Sequence, residues 1–476
     1  MWFVDVVYRW VMMPMVAISL PLIAPFHSKL RRRTRQEADD LNNVPARNMA
    51  RQRVLFHAAS MGEVEQIIPI AERLRQHLTV DVIVSVTSPS GYDHASKQRC
   101  FDAAVYMPVD TLARQRSFFR RIDPDIVIIN RYDVWPMALR ACRERGIHVI
   151  LVNATFPSAA RSRLLRSWIQ DIYTKLDSIT AMTEQDAAEL STLITKPVLY
   201  LPDSRIDRIF DRLNRVSPGK SLSPSESLSP GESHSPGESH SSGESHSPGE
   251  SPSPGESLSP GESLSPGESP SPGESLSPGE SLSPGESLSP GESEQITIVL
   301  GSTWPLDEDL FSPLHQEANL KFIVVPHEPT EGAVLRCIQR FGAERFSKVG
   351  AAHSGNIVVD VMGRLVEMYL HADVAYVGGG FGAGVHSLAE PAALGRSVAC
   401  GPRTDRSRDA TILTDARLLT VLSNAEDARR WITDVISNKR VYQERGKRSQ
   451  ALYEGLRGTS KILVDDILIR LKNQTE

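Results

Sequence analysis

Short, nearly unbroken apolar runs alternate along most of this chain with stretches whose apolar positions recur at helical spacing. From Arg53 to Leu201 the runs fall at 54–59, 80–88, 103–109, 125–130, 148–155, 178–183 and 197–202. They resume at 295–303, 321–328, 356–360, 373–380, 397–402 and 418–422. Strands this apolar, alternating with helices, predict parallel sheets covered on both faces. Two such series predict two doubly wound, Rossmann-like domains, with a ligand cleft between them at the carboxyl ends of the strands.

Two segments break the alternation. Trp10 to Phe26 is uncharged throughout and is followed by Lys29, Arg31, Arg32, Arg33 and Arg35, a flank typical of a cytoplasmic membrane face. Pro14, Pro21 and Pro25, with Asp5 and Arg9 ahead of the run, set a shallow or re-entrant anchor beside a full span; a buried helix is the alternative. Between the two series, a hexapeptide repeat of consensus Ser-Leu-Ser-Pro-Gly-Glu puts proline and glycine in nearly every unit, so no core can offset its ordering entropy. It reads as a disordered acidic linker, in which His234, His240 and His246 are drift in the repeat rather than metal ligands. The resulting division is 1–35 anchor and basic flank, 48–216 first domain, 217–294 linker and 295–476 second domain.

Length and charge adjust this picture only slightly. The 476 residues suit about two to three domains. The net charge of −5 becomes +7 once the 12 glutamates of the repeat, Glu226 to Glu292, are removed. That bias suits an anionic substrate or membrane surface and is too small to point to nucleic acid. Cys100, Cys142, Cys337 and Cys400 are widely spaced, which suggests neither a disulfide framework nor a zinc site, and fits a reducing compartment.

Three strand ends carry candidate chemistry. Ser60-Met61-Gly62-Glu63-Val64-Glu65 follows the first strand: glycine permits a tight turn, and Glu63 at a strand's carboxyl end could take a proton from a hydroxyl. The alternative is that Glu63 and Glu65 only complement the helix dipole. Gly301-Ser302-Thr303-Trp304 before Pro305, Asp307 and Glu308 could cradle a phosphate or serve as an ordinary helix cap. Residues 376–393 form a glycine-rich loop, with a helix expected from about His386 and Glu390 one turn inside it. The G-x-G-x-x-G pattern fits poorly there, and sugar-nucleotide binding explains more than a nicotinamide site.

Together with His57-Ala58-Ala59, Thr87-Ser88-Pro89-Ser90-Gly91, Asp133-Val134-Trp135-Pro136 and Val325-Pro326-His327-Glu328-Pro329, these motifs resemble the 3-deoxy-D-manno-octulosonic acid (Kdo) transferases, glycosyltransferases of the two-domain GT-B type. The likeness spans nearly the whole chain outside the repeat. It implies transfer of Kdo from CMP-Kdo to a lipid A precursor at the cytoplasmic side of the inner membrane, with inversion, no metal and no cofactor beyond the donor. By resemblance Glu63 is the general base, and Ser60, Gly62 and Asp133 lie on the acceptor side. Ser302, Thr303, His327, Gly379, Gly380, Glu390 and Arg205 lie on the CMP side. The alternatives are a GT-B transferase for another nucleotide sugar and a membrane-tethered scaffold with a degenerate site.

Overall fold

The computed structural model describes residues 2–215, 295–317 and 319–473. The repeat, its three histidines and the linker expectation lie outside the described residues. The first lobe holds β1 (Gln52–Ala58), β2 (Val80–Val86), β3 (Ala103–Tyr106), β4 (Ile126–Asn130), β5 (His148–Ala154), β6 (Ser178–Ala181) and β7 (Val198–Tyr200). They pair in the order β3-β2-β1-β4-β5-β6-β7, all parallel. Every residue of β2 is buried, as a sheet covered on both faces requires.

The second lobe repeats this plan with β8 (Ile296–Thr303), β9 (Leu320–Pro326), β10 (Glu344–Arg345), β11 (Ile357–Val358), β12 (Val374–Val377), β13 (Ser397–Cys400) and β14 (Leu419–Val421). Its order is β10-β11-β9-β8-β12-β13-β14, again parallel. In each lobe the direction of winding reverses beside the first strand, so a crevice opens at β1/β4 and at β8/β12, where open α/β sheets bind ligands. The two crevices belong to two Rossmann-like lobes facing across a cleft.

Two helices couple the lobes, each packing into the core of the lobe opposite the one it adjoins along the chain. Helix Arg205–Arg215 follows the first lobe in the chain, but its Ile206, Ile209 and Phe210 join the apolar core of the second. Helix Thr459–Lys472 ends the second lobe in the chain, yet Leu463, Val464, Ile467 and Leu471 pack into the first lobe's core. Each has an apolar stripe that its own lobe does not cover, and burying it across the divide follows from that. At the other end, Trp2–Phe26 is helical for 25 residues and its most apolar 18-residue stretch has a mean hydropathy of 1.7, long and apolar enough to cross a membrane by length and composition.

Candidate active site

A buried polar network lies beneath the carboxyl end of the first sheet. The Asn130 amide donates to Gln66 Oε1 at 2.8 Å and to the Glu63 carbonyl at 3.2 Å. Asn153 donates to Asn130 Oδ1 at 2.8 Å and to Ser204 Oγ at 3.2 Å, while Ser204 donates to the Gln66 carbonyl at 2.7 Å. Gln66 in turn donates to Asp203 Oδ2 at 3.1 Å. A fully paired network in an apolar surround is rigid, so helix Met61–His77 and the segment leading to Arg205 are held in one register.

On that base sits Glu63, in the first turn of its helix and only 3% exposed. Its Oε2 accepts the Ala59 N–H at 2.7 Å. Burial raises its pKa; the Ala59 bond and the charges of Arg131 and His57 only partly offset this, and Asp133 adds to it. Neighbouring Asp133 differs: burial opposes its ionisation, but His57 and Trp135 hold it below the usual carboxylate range. His57 Nε2 lies 3.0 Å from Asp133 Oδ2, and the Trp135 indole N–H donates to Oδ1 at 2.7 Å. Because an ionised carboxylate only accepts, the Nε2 of His57 carries a proton. Two carboxylates a few residues from the same strand ends are thus pushed apart in acidity, the arrangement that assigns distinct proton roles.

Gly62 does not make the tight turn expected of it. It is helical, and a Cβ added there would meet nothing within 4 Å. Ser60 is the N-cap residue, and its carbonyl accepts the N–H of Glu63 at 3.1 Å and of Val64 at 3.0 Å.

The mouth of the second sheet is made chiefly of backbone. Ser302 has φ 52°, and the hydroxyl of Thr303, 2% exposed, has no hydrogen-bond partner among the described residues. Asp307 ties this turn to the glycine loop: Oδ2 accepts the N–H of Trp304 and of Gly379, both at 2.9 Å, and Oδ1 accepts the Tyr376 hydroxyl at 2.7 Å. Side chains are excluded where the loop passes its neighbours. A Cβ on Gly378 would lie 2.5 Å from the Ser302 carbonyl, and one on Gly380 2.6 Å from Gly401 Cα. Gly379 has φ 92°, which only glycine adopts without strain.

Over this loop three rings stack. His327 lies 4.9 Å from Trp304 and 4.2 Å from His386, centroid to centroid. The Trp304 indole N–H donates to His386 Nε2 at 3.1 Å, so that nitrogen is unprotonated. Burial and the neighbouring His327 push the His386 pKa down to about 4. The helix expected from His386 starts instead at Ala389, because residues 378–384 hold five glycines and the loop turns back on itself, with the His386 N–H on the Gly378 carbonyl. Glu390 therefore stands in the helix's first turn.

Arg205 and Glu390 meet at a third place, a cavity of about 300 Å³ between the lobes that Gly62, Glu65, Arg212 and Asp409 also line. Arg205 is paired with Asp203 at 2.6 Å. Glu65 bonds Arg208 and faces His94 at 2.5 Å; burial works against its charge, but the bond to His94 and the charges of Arg208 and Arg212 hold its pKa at about 2. Arg212 spans the divide, 3.6 Å from Glu65 and 3.7 Å from Glu390. Burial raises the Glu390 pKa, with Arg212 in partial opposition.

The residues expected from sequence thus fall into three groups. Ser60, Glu63 and Asp133 gather at the first mouth; Ser302, Thr303, His327, Gly379 and Gly380 gather at the second; Gly62, Arg205 and Glu390 border the interlobe cavity. Sequence reasoning named Trp304, Asp307 and His386 only as parts of their motifs, without the contacts that join them, and missed the arginines Arg208 and Arg212. The last two were legible as a cationic face, because 205, 208 and 212 share one side of a helix. Among the described residues no cluster of His, Cys, Asp and Glu could hold a metal ion.

A family model described as 3-deoxy-D-manno-octulosonic-acid transferase matches residues 29–208, well under half of the chain. The chain is 28% identical over 147 residues to the 3-deoxy-D-manno-octulosonic acid transferase of Bordetella pertussis, covering 29% of this chain and 34% of that protein. It therefore spans about a third of that relative's length. It is 21% identical over 369 residues to the transferase of the same name from Chlamydophila psittaci, covering 74% of this chain and 70% of the relative. Among solved structures, UDP-GlcNAc 2-epimerase of Neisseria meningitidis aligns with a TM-score of 0.52 at 12% identity, over 88% of this chain and 100% of that one. MurG of Acinetobacter baumannii aligns at 0.50 and 11%, over 88% and 99%. At such identities the structural likeness is one of fold, and that fold is GT-B.

Proposed function

We propose that this protein is an inverting glycosyltransferase that moves Kdo from CMP-Kdo to a lipid A precursor at the cytoplasmic side of the inner membrane. The observation that carries a nucleotide-sugar donor is the second mouth. A buried Thr303 hydroxyl without a partner lies beside a glycine loop that cannot accept side chains, which leaves one hydroxyl and a close backbone approach for a phosphate. The family match over residues 29–208 supports the choice of Kdo among sugars.

In this reading Ser302 and Thr303 hold the donor phosphate, with Gly379 and Gly380 allowing its close approach. The rings of Trp304, His327 and His386 flank the cytidylate, and Glu390 accepts the ribose hydroxyls. Arg205, at the cavity edge, meets the donor's negative charges. Glu63 takes the proton of the acceptor hydroxyl as that oxygen bonds to the anomeric carbon of Kdo. The bond from that carbon to the phosphate oxygen breaks, CMP leaves with the electron pair, and the configuration inverts. A desolvated carboxylate of raised pKa is a stronger base than an exposed one, which suits it to this step. Ser60, Gly62 and Asp133 border the acceptor.

The test is to incubate membranes bearing the protein with a tetraacylated lipid A precursor and either CMP-Kdo or a UDP-hexose, and to weigh the products. A Kdo increment with CMP-Kdo alone is expected. An increment from the UDP-sugar alone would replace the donor, and none from either donor, where a control transferase works, would favour the scaffold.

A further inference from the structure

The helix Trp2–Phe26 presents two faces. Phe3, Val7, Val11, Met15, Ile18 and Leu22, spaced three or four apart, are between 37% and 71% exposed. On the other side Val4, Tyr8, Val16 and Leu20 are half-buried and Ala24 is 5% exposed. A lone span meets lipid all round; this helix meets protein along one stripe.

The contacts are specific and recur at both ends. The Tyr8 hydroxyl donates to Asp110 Oδ2 at 2.7 Å, and its ring lies 5.3 Å from the ring of Trp168. Asp110 is itself part of the lobe's fold, 2% exposed and accepting the N–H of Met137 at 3.0 Å and of Ala138 at 2.8 Å. Twelve residues on, Leu20 and Pro21 share the wall of a cavity of about 440 Å³ with Val109 and Phe118 of the same lobe. Tyr8 and Leu20 are ~18 Å apart along the helix axis, so the helix touches the lobe at two well-separated points. A hydrocarbon core is ~30 Å thick and needs about 20 residues to cross. Within residues 2–26, the contacts at Tyr8 and Leu20 leave no stretch of that length clear of the lobe.

We infer that Trp2–Phe26 is an in-plane anchor: it lies along the first lobe, sinks its exposed apolar stripe into one leaflet of a bilayer with anionic headgroups, and keeps its N-terminus on the lobe's side. Trp2 and Trp10, 76% and 66% exposed, are the amphipathic rings that favour the headgroup level. Exposed Arg31 and Arg35 follow directly and complement anionic lipid. A helix of this kind places its apolar face about 5–10 Å deep. This deepens the membrane part of the proposal above and is independent of the donor, so a failed transfer assay leaves it standing.

The four native cysteines are buried, which keeps labelling background low. In cells making the full-length chain, an Asp5→Cys variant is treated with a membrane-impermeant maleimide in spheroplasts and in inverted membrane vesicles. Labelling in inverted vesicles alone is expected; labelling in spheroplasts alone would overturn the inference. A second reading uses fluorophores on Phe3→Cys, Met15→Cys and Leu22→Cys with brominated lipids as depth quenchers. Equal, shallow depths are expected, whereas a Met15 label at the bilayer centre with the other two near opposite surfaces would overturn it. So would recovery of the full chain in the supernatant after membranes are sedimented.

Discussion

The two mouths of this molecule come from the same topology and are built from opposite materials. At the first, side chains meet: Glu63, His57, Asp133 and Trp135 stand on a paired network of Asn130, Asn153, Gln66 and Ser204. At the second, Gly378, Gly379 and Gly380 exclude side chains at their own positions and bring backbone against backbone, with Asp307 as the clasp and the rings of Trp304, His327 and His386 above. Side chains can be tuned in acidity by burial and neighbours, which suits proton transfer. A glycine loop cannot be tuned in this way, but it lets a phosphate approach the backbone closely. In the proposed reading, where a lobe places polar side chains or glycines at its strand ends separates chemistry from recognition within one repeated fold.

The sharpest way to break this contrast is Glu63→Gln. The amide oxygen still accepts the Ala59 N–H, so the thermal midpoint should hold while turnover falls by ~10²–10⁴-fold. The pH profile carries the sign. Burial raises the Glu63 pKa, so the base is protonated and idle at a higher pH than an exposed glutamate would be, and kcat should fall on the acid side above the usual ~4.3. Loss of that limb in a residual activity of Glu63→Gln would tie it to this residue.

Next in size is a pair of glycine substitutions, one per mouth. Gly380→Ala sets a methyl 2.6 Å from Gly401 Cα and should cost ~1–3 kcal/mol in a denaturant titration, with donor binding lost. Gly62→Ala meets nothing within 4 Å and sits in a helix, so the same titration should show no loss or a gain of up to ~1 kcal/mol. Smaller still is Thr303→Val. It removes an unpaired buried hydroxyl, so stability should stay level or rise, while the donor KM rises about tenfold, the worth of one hydrogen bond at ~1–1.5 kcal/mol. Smallest is Arg212→Gln, which loosens half-exposed ion pairs of 3.6 and 3.7 Å and should change kcat/KM by no more than about fivefold.

The sheets were legible because buried parallel strands write themselves as apolar runs. β10 was not, since the two residues Glu344–Arg345 have no periodicity to read. The start of the helix at Ala389 was missed because the glycines ahead of it remove the helical propensity that His386 and Ser387 seem to share with it. Gly62 was misread for the opposite reason: a glycine after a strand suggests a turn, but here the backbone is helical and only the surrounding space is unusual. The candidate residues were found one strand end at a time. Their grouping was not, because it depends on how the crossing helices Arg205–Arg215 and Thr459–Lys472 dock in the opposite lobe, and long-range packing leaves no local pattern. Asp307 illustrates this: along the chain it reads as a first-turn acid, and only in the fold does it clasp Gly379 and Tyr376.

The most direct test of the division between the mouths is a steady-state comparison of Glu63→Gln and Thr303→Val with CMP-Kdo as the varied substrate. The account predicts that Glu63→Gln loses kcat with an unchanged donor KM, and that Thr303→Val raises the donor KM with kcat largely kept. A donor KM that rises in Glu63→Gln, or a kcat that collapses in Thr303→Val at saturating donor, would contradict it.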